Sequence, residues 1–159
     1  MPEPPSPDKH NLAEATSSNI DVSFFVPCYN EEANVTGAIE KLVKASKLSG
    51  ISYEILVFDD CSRDRTVDYV KAYQNSHPDL PIRFFINEIN RGVSRNFVEG
   101  AFMGKGQYYR LVCSDVIGPL ETHLGILRHM GQADIIIPYF TEIRGRKAYR
   151  HFISRLYTA

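Results

Sequence analysis

The chain has 159 residues, the length of one ordinary domain, and with 43% hydrophobic and 23% charged residues it is globular rather than disordered or fibrous. Its net charge of −1 disfavours a general nucleic-acid-binding protein, because such proteins carry an excess of basic residues. The sequence contains neither an apolar run of membrane-spanning length nor a signal peptide, and its three cysteines lack zinc-type spacing. We therefore expect a cytoplasmic protein that works in a reducing compartment.

In chain order, residues Met1–Asn19 come first, and they are rich in proline, serine and charge. They bury too little apolar surface to offset the entropy of ordering, so we predict a disordered tail. Short continuous apolar runs follow, which predict strands at Val22–Val26, Ile55–Phe58, Ile82–Ile86, Tyr108–Val112 and Ile135–Ile137. Amphipathic segments between them predict helices at Ala38–Leu48, Ser62–Tyr73, Val93–Met103 and Leu120–Met130. This alternation predicts one α/β unit over residues 20–159, an open and mostly parallel Rossmann-like sheet flanked by helices.

Ligands of such sheets bind beyond the carboxyl ends of the strands, where the strand order reverses. The predicted strand ends there are rich in carboxylates, amides and hydroxyls. Asp59 and Asp60 follow the second strand directly, and two adjacent carboxylates repel each other unless something is bound between them. A carboxylate at this place can accept the imide N–H of uracil or the N1–H and amino group of guanine. Ser62 and Asp64 suit a different role, capping the helix that follows.

Three motifs carry a resemblance to a known family. The segment from Asp59 to Thr66 is similar to the Asp-Asp-x-Ser-x-Asp-x-Thr signature of family 2 glycosyltransferases, which have the GT-A fold. The turn Val26–Glu32 resembles that family's Pro-x-Tyr-Asn-Glu turn, and Asn90-Arg91-Gly92 resembles its third motif. The motifs occur in the family's order, from about Ile20 to Pro138.

The resemblance implies a nucleotide-sugar-binding site made of Pro27, Tyr29, Glu31, Asp59, Asp60, Gly92, Arg95, Ser114 and Asp115. In this site Glu31 would face the ribose and Asp59 would read the base edge. Gly92 and Arg95 would lie near the base and the diphosphate, and Gly92 would allow close approach of the backbone. Simpler interpretations stay open, in which Gly92 only begins a helix and Asn96 is only solvated.

The family's metal motif, Asp-x-Asp after the fourth strand, reads Cys113-Ser114-Asp115 in this chain. The resemblance implies that Asp115 holds Mg²⁺ or Mn²⁺, which would neutralise the charge developing on the departing nucleoside diphosphate. Cys113 departs from the pattern, because a thiolate is a poor ligand for a hard cation. Cys28, Cys61 and Cys113 all follow predicted strands. Either they form one soft-metal or redox-sensitive cluster, or each is a separate small side chain that fills space.

The last feature is a basic amphipathic helix predicted over Arg144–Tyr157, which either lies at an anionic membrane surface or packs on the core. Its sequence resembles the family branch that uses polyprenyl-phosphate acceptors, such as the dolichol-phosphate mannosyltransferases. The implied function is inverting transfer of a sugar from a UDP- or GDP-linked donor to a hydroxyl or polyprenyl phosphate.

The chain offers no well-placed catalytic base, so we expect that base, and the acceptor region supplying it, beyond Ala159. Glu121 and Glu142 are candidates only by elimination, and His123, His129 and His151 are predicted to be solvated on helices. The alternative function is a noncatalytic nucleotide-sugar-binding module or an inactive truncated homologue. An NAD-dependent oxidoreductase is excluded, because the first turn lacks the Gly-x-Gly-x-x-Gly pattern.

Overall fold

The computed structural model describes residues 19–138, which fall into two units, 19–128 and 129–138. The elements of the first unit are β1 (Ile20–Cys28), α1 (Val35–Ser49), β2 (Tyr53–Asp59), α2 (Thr66–Ser76), β3 (Ile82–Ile86), α3 (Val93–Met103), β4 (Gly106–Leu111) and α4 (Leu120–Leu127). Strands and helices alternate throughout, which confirms the predicted α/β class.

The four strands form one parallel sheet in the order β3-β2-β1-β4. β1 and β2 are the central strands, and their apolar runs are buried on both faces, as their sequence predicts. The chain runs from β1 through β2 to β3 and then returns to the other side of β1. Right-handed crossovers therefore place α1 and α2 on one face of the sheet and α3 on the opposite face.

An aromatic cluster lies between α3 and the sheet. The ring of Phe25 on β1 is 5.2 Å from that of Phe58 on β2 and 5.7 Å from that of Phe97 on α3, measured between ring centroids. Phe85 on β3 stacks on Phe58 at 4.6 Å. Edge and stacked contacts of this kind fix the position of the helix on the sheet beyond simple area burial.

A buried carboxylate anchors the connection from α3 to β4. Glu54 at the start of β2 is 3% exposed and accepts hydrogen bonds from Ser23 Oγ at 2.7 Å, the Lys105 backbone N–H and Arg83 Nη1. Arg83 Nη1 also donates to the carbonyl oxygen of Met103 at 2.8 Å. Burial alone would raise the pKa of Glu54, but these hydrogen bonds and the Arg83 charge outweigh it and lower that pKa. The carboxylate thus holds the end of α3 on the sheet.

Several predicted bounds differ from the structure by one to four residues, and one predicted element is absent from the described residues. α2 begins at Thr66 rather than Ser62, and α4 ends at Leu127 rather than Met130. The predicted fifth strand, Ile135–Ile137, is wrong, because these residues form no strand and the two outer side chains are 76% and 81% exposed. An apolar run indicates a strand only if its side chains are buried and its backbone finds a partner.

Residues 129–138 form a unit of their own, beginning with a turn in which the backbone N–H of Gln132 donates to the carbonyl oxygen of His129 at 3.1 Å. The predicted tail, apart from Asn19, and the predicted helix Arg144–Tyr157 lie outside the described residues. Between residues 19 and 138, no helix combines the length and hydropathy needed to cross a bilayer.

Candidate functional site

A cleft of about 380 Å³ opens at the carboxyl edge of the sheet. It lies where β1 and β4, which are distant in sequence, become neighbours, the position expected for ligands of open parallel sheets. It is lined by Pro27, Cys28, Tyr29, Glu31, Asp60, Asn90, Gly92, Val93, Asn96, Cys113, Ser114 and Asp115. Seven of the nine predicted site residues therefore share one cleft, and Asp59 and Arg95 are the two that do not line it.

The turn after β1 is held in place by the loop after β2. The backbone N–H of Asn30 donates to Ser62 Oγ at 2.9 Å, and that of Glu31 donates to Thr66 Oγ1 at 2.8 Å. Asp64 Oδ1 in turn accepts from the backbone N–H of Thr66 at 3.0 Å. Asn30 adopts a left-handed conformation with φ of 57°, which asparagine tolerates better than most residues. Ser62 therefore joins two strand ends instead of capping α2, and the turn presents Glu31 to the cleft.

Asp59 is buried beneath this loop and is 1% exposed. Its Oδ2 accepts a hydrogen bond from the backbone N–H of Ser62 at 3.0 Å, whereas Oδ1 is buried with no hydrogen-bond partner in the structure. Successive side chains of extended backbone point in opposite directions, so only one of two adjacent carboxylates can face a given side. Of the adjacent residues Asp59 and Asp60, the one that lines the cleft is Asp60.

Asp60 binds the chain segment that leads from β3 to α3. Its Oδ1 accepts from Asn87 Nδ2 at 2.9 Å and from the Arg91 backbone N–H at 2.8 Å, and its Oδ2 accepts from the Gly92 backbone N–H at 2.8 Å. Burial raises the pKa of Asp60, but hydrogen bonds from Arg91, Asn87, Asn96 and Gly92 outweigh it and hold the pKa below its ordinary value. Asp60 is therefore an ionised carboxylate at the wall of the cleft.

The amino end of α3 points into the same cleft. Gly92 precedes the helix with φ of 82°, a conformation that favours glycine, and it also lines the cleft. Asn96 in the first turn is 1% exposed, and its Oδ1 accepts from Asn87 Nδ2 at 2.9 Å, so the interpretation of Asn96 as a solvated residue is wrong. Arg95 is exposed and does not line the cleft.

The loop after β4 supplies the remaining wall. Ser114 is 3% exposed, and its Oγ is buried without a hydrogen-bond partner although the residue lines the cleft. Asp115 is exposed and lines the cleft, which leaves its carboxylate accessible to a cation. Burial and then the charges of Asp115 and Glu31 raise the pKa of Cys113, so this side chain stays a protonated thiol.

The three cysteines do not form one cluster. Cys28 and Cys113 line the cleft, but Cys61 Sγ donates to the carbonyl oxygen of Glu88 at 3.4 Å instead. All three are free, and the described part of the chain contains no group of three or more histidine, cysteine or acidic residues arranged to hold a metal ion.

The side chains that support the loop after β4 were not predicted from the sequence. Lys41 Nζ on α1 donates to the carbonyl oxygens of Ile117 and Gly118, at 3.2 and 3.0 Å. His123 on α4 was predicted to be solvated, but it is 2% exposed, and its Nδ1 lies 3.1 Å from Arg110 Nη2. Desolvation, followed by the charges of Arg110 and Lys41, lowers the pKa of His123 to about 4, so its ring is neutral.

Comparison with known proteins gives a consistent result. Residues 23–153 match the family model described as Glycosyl transferase family 2. A curated relative, the dolichyl-phosphate beta-glucosyltransferase of Dictyostelium discoideum, is 31% identical over 102 residues, which are 61% of this chain and 31% of the relative. The chain spans between 27% and 40% of the length of its first curated relatives.

Two solved structures share the fold. S. aureus TarS 1–349 in complex with UDP-GlcNAc has a TM-score of 0.51 and 30% identity, and the match covers 60% of this chain and 28% of that one. The mannosyltransferase PcManGT from Pyrobaculum calidifontis, in complex with GDP-Man and Mn²⁺, has a TM-score of 0.57 and 21% identity and covers 65% and 30% of the two chains. The resemblance of the sheet to that of glycosyltransferases is thereby confirmed.

Proposed function

The chain belongs to glycosyltransferase family 2, and from this membership we propose that its cleft binds a nucleoside diphosphate sugar together with a divalent cation. The observation that carries the proposal is the convergence of four loops on one cleft at the reversal point of the strand order. Unsatisfied polar groups inside a cleft favour a ligand, because a buried hydroxyl without a partner is costly. Ser114 Oγ is such a group.

The wall formed by the loops after β1 and β2 suits the nucleoside. Pro27 and the half-exposed ring of Tyr29 offer apolar surface for a base, and the carboxylate of Glu31 is an acceptor for ribose hydroxyls. Base reading, which the sequence motif implies for Asp59, is assigned in our proposal to Asp60, since Asp60 faces the cleft. The opposite wall, with Ser114 and the amino end of α3, suits the diphosphate and the sugar.

Asp115 is the residue that would hold Mg²⁺ or Mn²⁺. The donor set fits a cation shared with a diphosphate, because it offers one accessible hard oxygen ligand next to a thiol that stays protonated. When bound, the cation would neutralise charge on the leaving nucleoside diphosphate. Asp115 and Ser114 then orient the diphosphate against the amino end of α3.

For the complete protein we propose inverting transfer of the sugar to an acceptor, and a polyprenyl phosphate is the acceptor class that the dolichyl-phosphate relative supports. A polyprenyl acceptor lies in a membrane, so peripheral contact with the membrane surface belongs to the same proposal. The basic segment Arg144–Tyr157 is the candidate for that contact.

Isothermal titration calorimetry with UDP- and GDP-linked sugars, with and without Mn²⁺, tests the proposal. We expect binding that strengthens when Mn²⁺ is present, and we expect Ser114→Ala to weaken it. A matched control is Ser76→Ala, at the exposed end of α2 away from the cleft, which should leave binding unchanged. Absence of binding by the native protein with every donor would refute the proposal.

One observation favours a second function, a noncatalytic nucleotide-sugar-binding module. Cys113 occupies the first position of the metal motif and stays a thiol, which leaves a single carboxylate for the cation. Radiolabelled sugar transfer by the full-length protein separates the two functions. Transfer to a polyprenyl phosphate supports the enzyme, whereas tight binding without transfer supports the module.

A further inference from the structure

The loop between β4 and α4 carries Asp115 and is tied to α1 by a single side chain. Lys41 Nζ donates to the carbonyl oxygens of Ile117 and Gly118, at 3.2 and 3.0 Å. No other side chain in the described part of the protein donates a hydrogen bond to the backbone of residues 113–118. Asp115 lies two residues before Ile117 and is exposed. The position of its carboxylate therefore depends on a lysine that is distant in sequence.

Lys41 is fixed against this loop rather than directed toward solvent. It is half-buried, and between residues 19 and 138 it forms no ion pair, so the two carbonyl oxygens are the groups that hold it. Fixing a lysine side chain costs rotamer entropy. Hydrogen bonds from a charged donor are stronger than neutral ones, and two of them on one ammonium group offset this entropy.

The same helix is continuous with the opposite wall of the cleft. α1 begins at Val35, and the backbone N–H groups of Asn34 and Val35 both donate to the carbonyl oxygen of Glu31 at 3.0 Å. Glu31 lines the cleft. A helix is a rigid element that can carry coupling between two sites. The wall with Glu31 and the loop with Asp115 are therefore joined through α1 and Lys41.

We infer that Lys41 is a positioning residue that couples nucleotide binding to metal binding, because it holds the Asp115 loop in place relative to the wall that carries Glu31. The inference rests on the proposed function, since it requires a nucleoside diphosphate and a divalent cation in the cleft. A cation shared by one protein carboxylate and a diphosphate needs both ligands in fixed positions. Once the loop is released, ordering Asp115 costs part of the binding energy, so the cation strengthens nucleotide binding less.

Calorimetric titration of the intact native protein with UDP and with GDP, each with and without Mn²⁺, tests the inference. The measured quantity is the ratio of the affinity with Mn²⁺ to the affinity without it, for the nucleotide that binds more tightly. Lys41→Met keeps the aliphatic stem but removes the donor. It should lower this ratio about tenfold, the effect expected when a group that orients a metal ligand is lost, and leave the metal-free affinity close to that of the native protein. Lys44→Met removes the same charge from an exposed position of α1 and is the matched control.

A second measurement follows from thermodynamic reciprocity. If Mn²⁺ strengthens nucleotide binding by a given factor, the nucleotide must strengthen Mn²⁺ binding by the same factor. The electron paramagnetic resonance signal of free Mn²⁺ measures this second factor, which should fall equally in Lys41→Met. If circular dichroism shows that Lys41→Met does not fold, Lys41→Gln replaces it. Glutamine is shorter and uncharged, so the ratio should still fall, and an unchanged ratio overturns the inference.

The outcomes separate the inference from the proposed function. A native-like ratio in Lys41→Met overturns the inference and leaves nucleotide and metal binding intact. Equal weakening with and without Mn²⁺ overturns it as well, because a general structural role or direct attraction of the diphosphate acts in that way. A fall of the same size in Lys44→Met also overturns it. Failure of the native protein to bind either nucleotide, or to bind it more tightly with Mn²⁺, refutes the proposed function itself.

Discussion

Gly100 in the middle of α3 is a position where one added methyl group should loosen the helix that borders the cleft. A Cβ atom at this residue would lie 2.5 Å from Tyr109 Oη and 2.9 Å from Phe25 Cδ2. Both neighbours are ring systems fixed in the aromatic cluster, and the Tyr109 hydroxyl donates to the carbonyl oxygen of Phe97 at 2.8 Å. The Gly100→Ala variant must therefore displace the hydroxyl or the helix.

Three contributions set the size of the effect. Overpacking a well-packed core costs about 1–3 kcal/mol. Losing the hydrogen bond of the Tyr109 hydroxyl costs about 1 kcal/mol. Alanine has a helix propensity that offsets about 1 kcal/mol of this. The free energy of unfolding of Gly100→Ala should therefore fall by about 1–3 kcal/mol relative to the native protein.

Urea unfolding followed by circular dichroism measures this change, and Gly37→Ala provides the matched control. Gly37 also lies inside a helix, but a Cβ atom there would meet nothing within 4 Å, so only the propensity gain of about 0.5–1 kcal/mol remains. The two variants should change stability in opposite directions. If Gly100→Ala is as stable as Gly37→Ala, the close packing of α3 on β1 is incorrect.

Further predictions concern the cleft and the buried histidine. Asp115→Asn should abolish most of the gain in nucleotide-sugar affinity that Mn²⁺ provides, as measured by calorimetry. If the variant shows the same Mn²⁺ dependence as the native protein, Asp115 is ruled out as the metal ligand. Glu31→Gln should weaken UDP binding about tenfold while changing dTDP binding less. The reason is that a hydrogen bond to a charged acceptor is lost only where the nucleotide has a 2′-hydroxyl. Equal losses for both nucleotides would argue against contact between Glu31 and the ribose. The pKa of His123 is lowered to about 4 in the folded protein, so the unfolded chain takes up a proton first as the pH falls. The stability linked to the neutral ring is fully present above pH 6.5. It should fall by roughly 3 kcal/mol as the pH is lowered toward 4. Unfolding of His123→Gln between pH 7 and 4 should show a smaller loss, and an equal slope in both proteins would contradict a buried neutral ring.

The central strands could be predicted from sequence because burial on both faces leaves a direct compositional signal. Val22–Val26 and Ile55–Phe58 are continuous apolar runs, and they form the cores of β1 and β2. Ile135–Ile137 has the same signal but forms no strand, since the signal does not include the partner that a strand requires. The side chains of Ile135 and Ile137 are also exposed, so an apolar run by itself establishes neither burial nor pairing.

The site could be predicted as a set of loops but not atom by atom. The ends of parallel strands meet at one edge of the sheet, so motifs at several strand ends indicated one cleft. Which of Asp59 and Asp60 faces that cleft depends on the direction of the side chains at the end of β2, and spacing does not reveal it. The roles of Asn87 and His123 depend on partners 27 and 13 residues away, Asp60 and Arg110, with which no local motif connects them.

The two carboxylates that hold α3 both come from one strand and its end. Glu54 at the start of β2 secures the segment that follows the helix, and Asp60 just after β2 secures the segment that precedes it. The segments at both ends of α3 are thus held by carboxylates that lie on β2 or directly after it. Neutralising Glu54, which lies at the edge of the sheet opposite the cleft, should consequently loosen α3 along its whole length. The affinity for the ligand should then fall while the protein is still folded.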